Sequence, residues 1–300
     1  MNTKDSVDSN LSSKTSFDAL YEAPTPMPYL QGMARLDYSI VDETAPFVAA
    51  AMGFPGLRGG SRVSILDVGS SYGVGGALMK YGHDFPSISA FFREASQHKD
   101  ECVRQARHWL ARRPPTRDLH YVGLDSSQPA IEFGVEAKLL DAGIAKNLES
   151  PVNELTASER VLIEECDLLV STGAVGYLGR RTFQAILPHL GKSGDKGGHS
   201  PLALFTVLDI FDAEDVMATF HEHSFECRPL AGVSLNQRNF SDDREREDLL
   251  SLLDPESAAY ATWSQRGKLC ANLFIATPAA GFESFQAFMA AVVADRNRQN

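Results

Sequence analysis

Short aliphatic and β-branched runs alternate along this chain with stretches whose apolar positions recur every three or four residues, the pattern of strands separated by helices. The first clear run, Ser64-Ile65-Leu66-Asp67-Val68, reads as a buried strand and stops at Gly69-Ser70-Ser71-Tyr72-Gly73. Good helix formers follow in Gly76-Ala77-Leu78-Met79-Lys80, so the glycine-serine turn joins a strand tip to a helix N-terminus. His120 to Asp125 reads as the next strand. Ser126 or Ser127 caps a helix whose face is Ile131, Val135 and Leu139, with Gly143 as its stop. Ile144 to Glu149 reads as a short third strand, and Thr156 with Glu159 as a capping box that opens a helix. Cys166 to Gly173 and Leu202 to Leu208 are further buried strands. Between them, Phe183, Ile186, Leu187 and Leu190 mark a helix ended by Gly191, and Lys192 to Ser200 an exposed loop. A helix bearing Val216, Met217 and Phe220 precedes two last strands, Phe225 to Phe240 and Leu269 to Ala276, which bracket an acidic helical segment from Asp242 to Leu253. Strands alternating with helices, closed by two late strands, predict a mainly parallel α/β sheet with an antiparallel hairpin-like edge.

Two segments lie outside this alternation. Residues 1 to 18 are polar and predict a mobile tail. Residues 19 to 60, punctuated by Pro24, Pro26 and Pro28 and carrying a helical pattern from Ala45 to Met52 that Gly53 ends, predict a helical lid across the mouth of the site. The second segment, 84 to 118, is an insertion. A strand-helix-strand unit needs about 30 residues, yet Asp125 follows Asp67 by 125 − 67 = 58 positions. The apolar sets Ile88, Phe91, Phe92, Ala95 and Val103, Ala106, Leu110, closed by Pro114-Pro115, read as one or two helices that either pack outside the core or wall a substrate pocket.

Composition narrows the function. With 43% apolar residues in 300, one large domain with an added cap has a sizeable core. The net charge of −11 argues against a protein that tracks phosphates. Arg104, Arg107, Arg112 and Arg113 share one predicted helix and read as a solvated face. Cys102, Cys166, Cys227 and Cys270 are far apart, which predicts reduced thiols, no zinc site and a cytoplasmic location. No apolar leader stands at the N-terminus, and the run from Ala45 to Leu57 is too short and interrupted to span a bilayer. Neither a nucleic acid nor a membrane is expected as a partner.

The turn carries the candidate chemistry. Glycines let backbone N–H groups approach a nucleotide-like ligand, and Asp67 can accept hydrogen bonds from a ligand ammonium or order the loop. Asp125, at the tip of the neighbouring strand, can take both ribose hydroxyls of an adenosine, its bland alternative being a helix cap. Leu148 can pack on the adenine ring and Glu149 accept from its amino group, although both also read as exposed loop residues.

The turn Asp67-Val68-Gly69-Ser70-Ser71-Tyr72-Gly73 resembles the first motif of the class I S-adenosylmethionine-dependent methyltransferases. The resemblance covers about residues 60 to 278 and departs from the family in the long insertion. It implies a Rossmann-like seven-stranded, mainly parallel sheet with helices on both faces and one antiparallel edge strand. N-terminal and inserted helices would form a cap on a methyltransferase domain of residues 61–300. It also implies S-adenosyl-L-methionine as cofactor, bound by Asp67, Gly69, Ser70, Ser71, Gly73, Asp125 and Ser126 with Leu148 and Glu149 at the adenine. Asp167-Leu168-Leu169-Val170-Ser171 resembles the family's fourth strand, whose end reaches the transferable methyl. Ser171, Thr172 and Tyr177 would then border the reaction centre, with Tyr38 and Tyr177 as pocket walls. The expected reaction is O- or N-methylation of a small organic acceptor. The acidic surface and the cap point to that class. His83, His120, His221 and His223 are candidates for a general base by residue type alone, and no metal is expected.

Two other functions fit part of the pattern. A short-chain-dehydrogenase-like oxidoreductase using NAD(P) has the same glycine spacing, Gly69, Gly73 and Gly75. Its Tyr-x-x-x-Lys pair is missing, since Arg181 stands at that distance from Tyr177. A non-catalytic nucleotide-binding protein would be favoured by a broken turn or a missing Asp67, and neither occurs.

Overall fold

Parallel strands need long crossovers, and this chain supplies a helix at nearly every one. A computed structural model describes residues 18–57, 62–192 and 200–299. Seven strands form one sheet: β1 Val63–Val68, β2 Leu119–Asp125, β3 Ala142–Ala145, β4 Leu168–Val175, β5 Leu202–Leu208, β6 Phe225–Asn239 and β7 Lys268–Pro278. Their order is β3-β2-β1-β4-β5-β7-β6. Strands β1 to β5 pair in parallel, and β7 runs antiparallel to both β5 and β6. The antiparallel edge is therefore the β7–β6 pair, with the reversed strand one place in from the rim. All six other strands point their C-terminal ends to one side.

Successive strand residues face opposite ways, and two cores result. Ile65, Tyr121, Leu168 and Leu204 belong to one, and Leu66, Val122, Leu169 and Ala203 to the other. The first core also takes in the N-terminal helices α1 Asp18–Tyr21, α2 Met27–Arg35 and α3 Ile40–Ala51 through Tyr29, Leu30, Met33, Ile40 and Phe47. That segment packs against the sheet. After β1 come α4 Val74–Tyr81, α5 Phe85–Glu94 and α6 Lys99–Ala111, so the inserted residues form two helices before β2. The remaining helices are α7 Gln128–Glu136, α8 Ala157–Glu164, α9 Arg180–Ile186, α10 Glu214–Glu222, α11 Asp243–Leu250, α12 Ala258–Ser264 and α13 Ala279–Gln299.

Several boundaries differ from the sequence reading, each for a local reason. The third strand spans Ala142–Ala145, earlier than Ile144 to Glu149, because Asp141 accepts the Tyr121 N–H (2.8 Å) and pairs with Lys80 (2.8 Å), which starts the β2–β3 register there. Gly143 is consequently a strand residue; a Cβ on it would come within 2.4 Å of Ile131. Helix α7 ends at Glu136, where Lys138 adopts a φ of +68°. Helix α3 begins at Ile40 and carries Pro46 inside it. The long helix α13 occupies a stretch after the last predicted strand for which the sequence pattern predicts no element. Of the expected tail (1–18), all but Asp18, the first residue of α1, lies outside the described residues, as does most of the Lys192–Ser200 loop (193–199). The Thr156–Glu159 capping box forms as expected.

One ion pair ties the β6–β7 excursion to the sheet. Arg238, at the end of β6, makes two bonds to Glu245 of α11, at 2.8 and 2.6 Å, with both side chains almost wholly buried. Removing one partner of such a pair strands the other charge, at a cost of about 3–5 kcal/mol. We expect Glu245→Ala to lower the unfolding free energy by about that much in urea denaturation. The paired replacement Arg238→Met with Glu245→Leu should recover most of it.

Candidate functional site

The chain leaves β1 through a bend that ordinary residues adopt at a cost. Gly69, Ser71 and Gly73 have φ of +80°, +49° and +84°. At Gly69 a Cβ would sit 2.4 Å from the Cβ of Ala174, so glycine is required there by conformation and by the closeness of the β4 tip. Ser71 has no such freedom, and its backbone strain is of order 1 kcal/mol or more. Its N–H donates to Asp125 Oδ2 at 2.9 Å, which holds the residue in place. The Gly69 and Ser70 N–H groups both donate to the Leu124 carbonyl, at 2.8 and 3.2 Å. The turn is thus laced to the tip of β2.

Two carboxylates flank it. Asp67 is opposite Gly123 in the β1–β2 register, so Asp67 and Asp125 lie on neighbouring strand ends. Asp67 is buried, and its Oδ2 accepts from the Tyr121 hydroxyl at 3.1 Å. Burial pushes its carboxyl up to about 7; the Tyr121 bond opposes this and the charge of Asp125 adds to it. Asp125 is half-buried. Burial raises its carboxyl too, against the N–H groups of Ser127, Ser71 and Ser126, and Glu22 adds a like charge. The charges acting on this pair are those of other acids. The Ser70 and Ser71 hydroxyls are buried and have no hydrogen-bond partner among the described residues. A carboxylate out of water without a cation is costly, and so is an unpaired buried hydroxyl. A cationic ligand rich in hydroxyl groups matches both deficits.

The N-terminal segment roofs this bend. The Tyr72 hydroxyl lies within hydrogen-bonding reach of the carbonyls of Leu20, Tyr21 and Ala23, nearest to Ala23 at 2.7 Å. Ser127, which caps α7 by accepting from Ala130, donates its hydroxyl to the Tyr21 carbonyl at 2.6 Å. The Tyr29 ring lies 5.1 Å from that of Tyr21 and 6.0 Å from that of Tyr72. Farther along the rim, a Cβ on Gly173 of β4 would be 3.4 Å from the Tyr38 hydroxyl and 3.5 Å from the buried Gln237 amide nitrogen.

The residues expected from the sequence divide into three groups. Asp67, Gly69, Ser70, Ser71, Gly73, Asp125 and Ser126 are brought together at the bend, and the Tyr38 hydroxyl stands near Gly173 of β4, the residue after Thr172. Ser171 is buried, and its hydroxyl donates to the Val68 carbonyl at 2.8 Å, so it fastens β1 to β4. Tyr177 is exposed in the turn after β4. Leu148 and Glu149 need correction. Leu148 is buried in the core that contains Val68, Leu124 and Ile144. Glu149 Oε1 accepts from the Gly179 N–H (2.8 Å), the Thr182 N–H (3.0 Å) and the Thr182 hydroxyl (2.6 Å), which employs the carboxylate at the start of α9. Three of the four histidines are engaged elsewhere: His83 stacks on Trp109, His120 contacts Arg62 and His221 faces Glu226. Among the described residues no group of three His, Cys, Asp or Glu side chains is placed to hold a metal. Sequence reasoning passed over Tyr21, Tyr29 and Gln237. Three tyrosines within one proline-rich segment were the available signal for the first two.

Asp67 links stability to pH. Its folded pKa lies above the ordinary 3.8, so the folded state holds an extra proton between about pH 4 and 7. Stability should therefore fall as pH rises through that window. We expect Asp67→Asn to flatten the decline, read as urea midpoints at pH 5 and pH 7.5.

No family model and no curated protein matches the chain. Solved structures do resemble it. The YcgJ protein of Bacillus subtilis is 11% identical and covers 77% of this chain and 98% of its own, with a TM-score of 0.40. A TehB-like SAM-dependent methyltransferase from Corynebacterium glutamicum is 14% identical, covering 77% and 85% with a TM-score of 0.35. A SAM-dependent methyltransferase from Thiobacillus denitrificans, in complex with S-adenosyl-L-homocysteine, is 14% identical, covering 76% and 89% with a TM-score of 0.29. At these values the likeness carries no argument about the reaction, which rests on the residues of the bend.

Proposed function

We propose that the chain is an S-adenosylmethionine-dependent methyltransferase acting on a small organic acceptor by O- or N-methylation. The observation that carries the reading is the pair Asp67 and Asp125 on adjacent strand tips, laced by one glycine turn and without a cationic partner among the described residues. Bound there, S-adenosylmethionine supplies a methyl group activated on a sulfonium. Asp67 accepts from its ammonium. Asp125 accepts from the ribose hydroxyls, since each of its oxygens takes one backbone N–H and keeps further acceptor capacity. The free Ser70 and Ser71 hydroxyls complete the cradle. Orientation is the chief contribution this chain makes, and well-aligned reactions reach effective molarities of roughly 10⁵–10⁸ M.

Residues 19–60 then act as a lid and 61–300 as the methyltransferase domain, with the helices of 84–118 inserted. Thr172, Tyr38 and Tyr177, along the β4 rim, are assigned to the acceptor side. A closed roof favours a small acceptor over a polymer. A nicotinamide dinucleotide is disfavoured because its pyrophosphate would meet two carboxylates at the turn. Four free cysteines suit a reducing, cytoplasmic compartment. No described helix is long and apolar enough to cross a membrane.

Calorimetric titration tests the reading. S-adenosylmethionine and S-adenosylhomocysteine should bind and NADPH should not; binding of NADPH alone would sink the proposal. Asp125→Ala should weaken both adenosyl ligands by about tenfold or more, as loss of hydrogen bonds by a charged acceptor does. If the ammonium needs ionised Asp67, affinity for S-adenosylhomocysteine should rise about tenfold from pH 6 to pH 8 and stay level in Asp67→Asn.

A further inference from the structure

Helices α5 and α6 carry a surface that the proposed reaction does not use. From Cys102 to Arg117 the chain has five arginines and no carboxylate, in a molecule whose net charge is −11. Arg104, His108 and Arg112 recur every four residues, so they line one side of α6 and its C-cap, exposed to solvent. Arg104 pairs with Glu101. Among the described residues, Arg107, Arg113 and Arg117 donate to the carbonyls of Glu136, Gly82 and Ala49 and meet no carboxylate, and the Arg112 guanidinium has no partner. Their charge is not neutralised. Between α5 and α6 lies a cavity of about 310 Å³, where Phe91, Ala95 and Trp109 supply apolar surface and Gln105, His108 and Arg112 polar groups. Glu94, also at the cavity, pairs with Arg93 at 3.4 Å. The Trp109 ring is stacked on Phe91 at 4.4 Å and on His83 at 3.9 Å, which holds the cavity wall in place. His83 follows the C-terminus of α4, the end of that helix farther from the turn at Gly73.

We propose that this face of α5 and α6 docks a short acidic segment of a partner protein, which seats one large apolar side chain in the cavity. Unpaired arginines set the sign of the partner, and the cavity sets its anchor; a buried apolar anchor inside a polar rim is how protein interfaces concentrate affinity. Outside residues 102–117 the chain carries −11 − 5 = −16. A long polyanion that overran the arginines would meet that charge, whereas a short peptide stays within them. Helix α6 has 13 residues and is about 20 Å long, the reach of about six extended residues. Nucleic-acid bases gain affinity by stacking on free ring faces, and Trp109 is already stacked on two rings. Both features favour a peptide over a nucleic acid.

The proposal is independent of the methyltransferase reading. Its test is calorimetric titration of the full chain with two peptides of about ten residues, glutamates around a central phenylalanine or a central alanine. The phenylalanine peptide should bind about tenfold or more tightly, the size of burying one aromatic side chain, and salt should weaken both. Its binding should also change the emission of Trp109 against that of buried Trp263, the chain's other tryptophan. Arg112→Glu, at an exposed position, should weaken both peptides by about fivefold. Ala95→Phe fills the cavity and should erase the difference between the peptides while leaving the salt-dependent part. Equal affinity for the two peptides, no binding of the phenylalanine peptide, or unchanged binding in Arg112→Glu overturns the proposal. Tighter binding of a thymidine oligonucleotide of equal charge assigns the face to nucleic acid instead. Self-association of the chain that Arg112→Glu abolishes assigns it to a second copy, and either result overturns the peptide site.

Discussion

Two carboxylates brought together out of water, with no positive partner among the described residues, are the constraint around which this molecule is arranged. Asp67 and Asp125 stand on neighbouring strand ends, and the charges that reach them belong to other acids. Proteins rarely tolerate this without neutralising the group or pairing it. Here the chain does some of each: Asp67 is drawn toward its protonated form and accepts a phenol, while Asp125 gathers backbone N–H groups from the turn and from α7. The compensation is partial, since none of these donors carries a positive charge. Backbone strain at Ser71 belongs to the same arrangement, since its N–H reaches Asp125 only from that conformation.

The surrounding architecture sets the two carboxylates side by side at one end of the sheet. β1 and β2 are buried on both faces by the two cores, so the carboxylates emerge at one rim of the sheet. The N-terminal helices share the larger core with the sheet, and the carbonyls of Leu20, Tyr21 and Ala23 are anchored on Tyr72 and Ser127, one residue from each half of the cradle. On the far side, Ser39 and Asn239 exchange backbone bonds with Gln237 and Leu36, at 2.9 and 2.6 Å, and carry Tyr38 to the β4 tip. The Tyr38 phenol and the Gln237 amide, both near Gly173, thereby come from segments about 200 positions apart in the chain.

The alternation of buried strands and amphipathic helices, the glycine turn, and an acid at the tips of the first two strands could all be read from the chain alone. Each is a local pattern: strands sealed on both faces must be apolar throughout, and a left-handed bend advertises itself by glycine. The boundaries of β3 and α7 were not local, because Asp141 and its bond to β2 decide them. Glu149 shows the same limit. Its position after the third strand suited an adenine contact, yet the start of α9, which approaches only in the folded chain, supplies three donors to its carboxylate.

What the sequence determined by itself, then, is the class of fold and the chemistry of the bend, since both follow from residue types at short spacing. The tertiary structure alone decided which polar groups find partners: Ser171 and Glu149 are satisfied by neighbouring elements, whereas the carboxylates and the Ser70 and Ser71 hydroxyls are left wanting. It also brought Tyr38 and Gln237 to the rim, because only packing joins residues that spacing keeps apart. Satisfaction of a buried polar group depends on every element around it, and no stretch of chain carries that information alone.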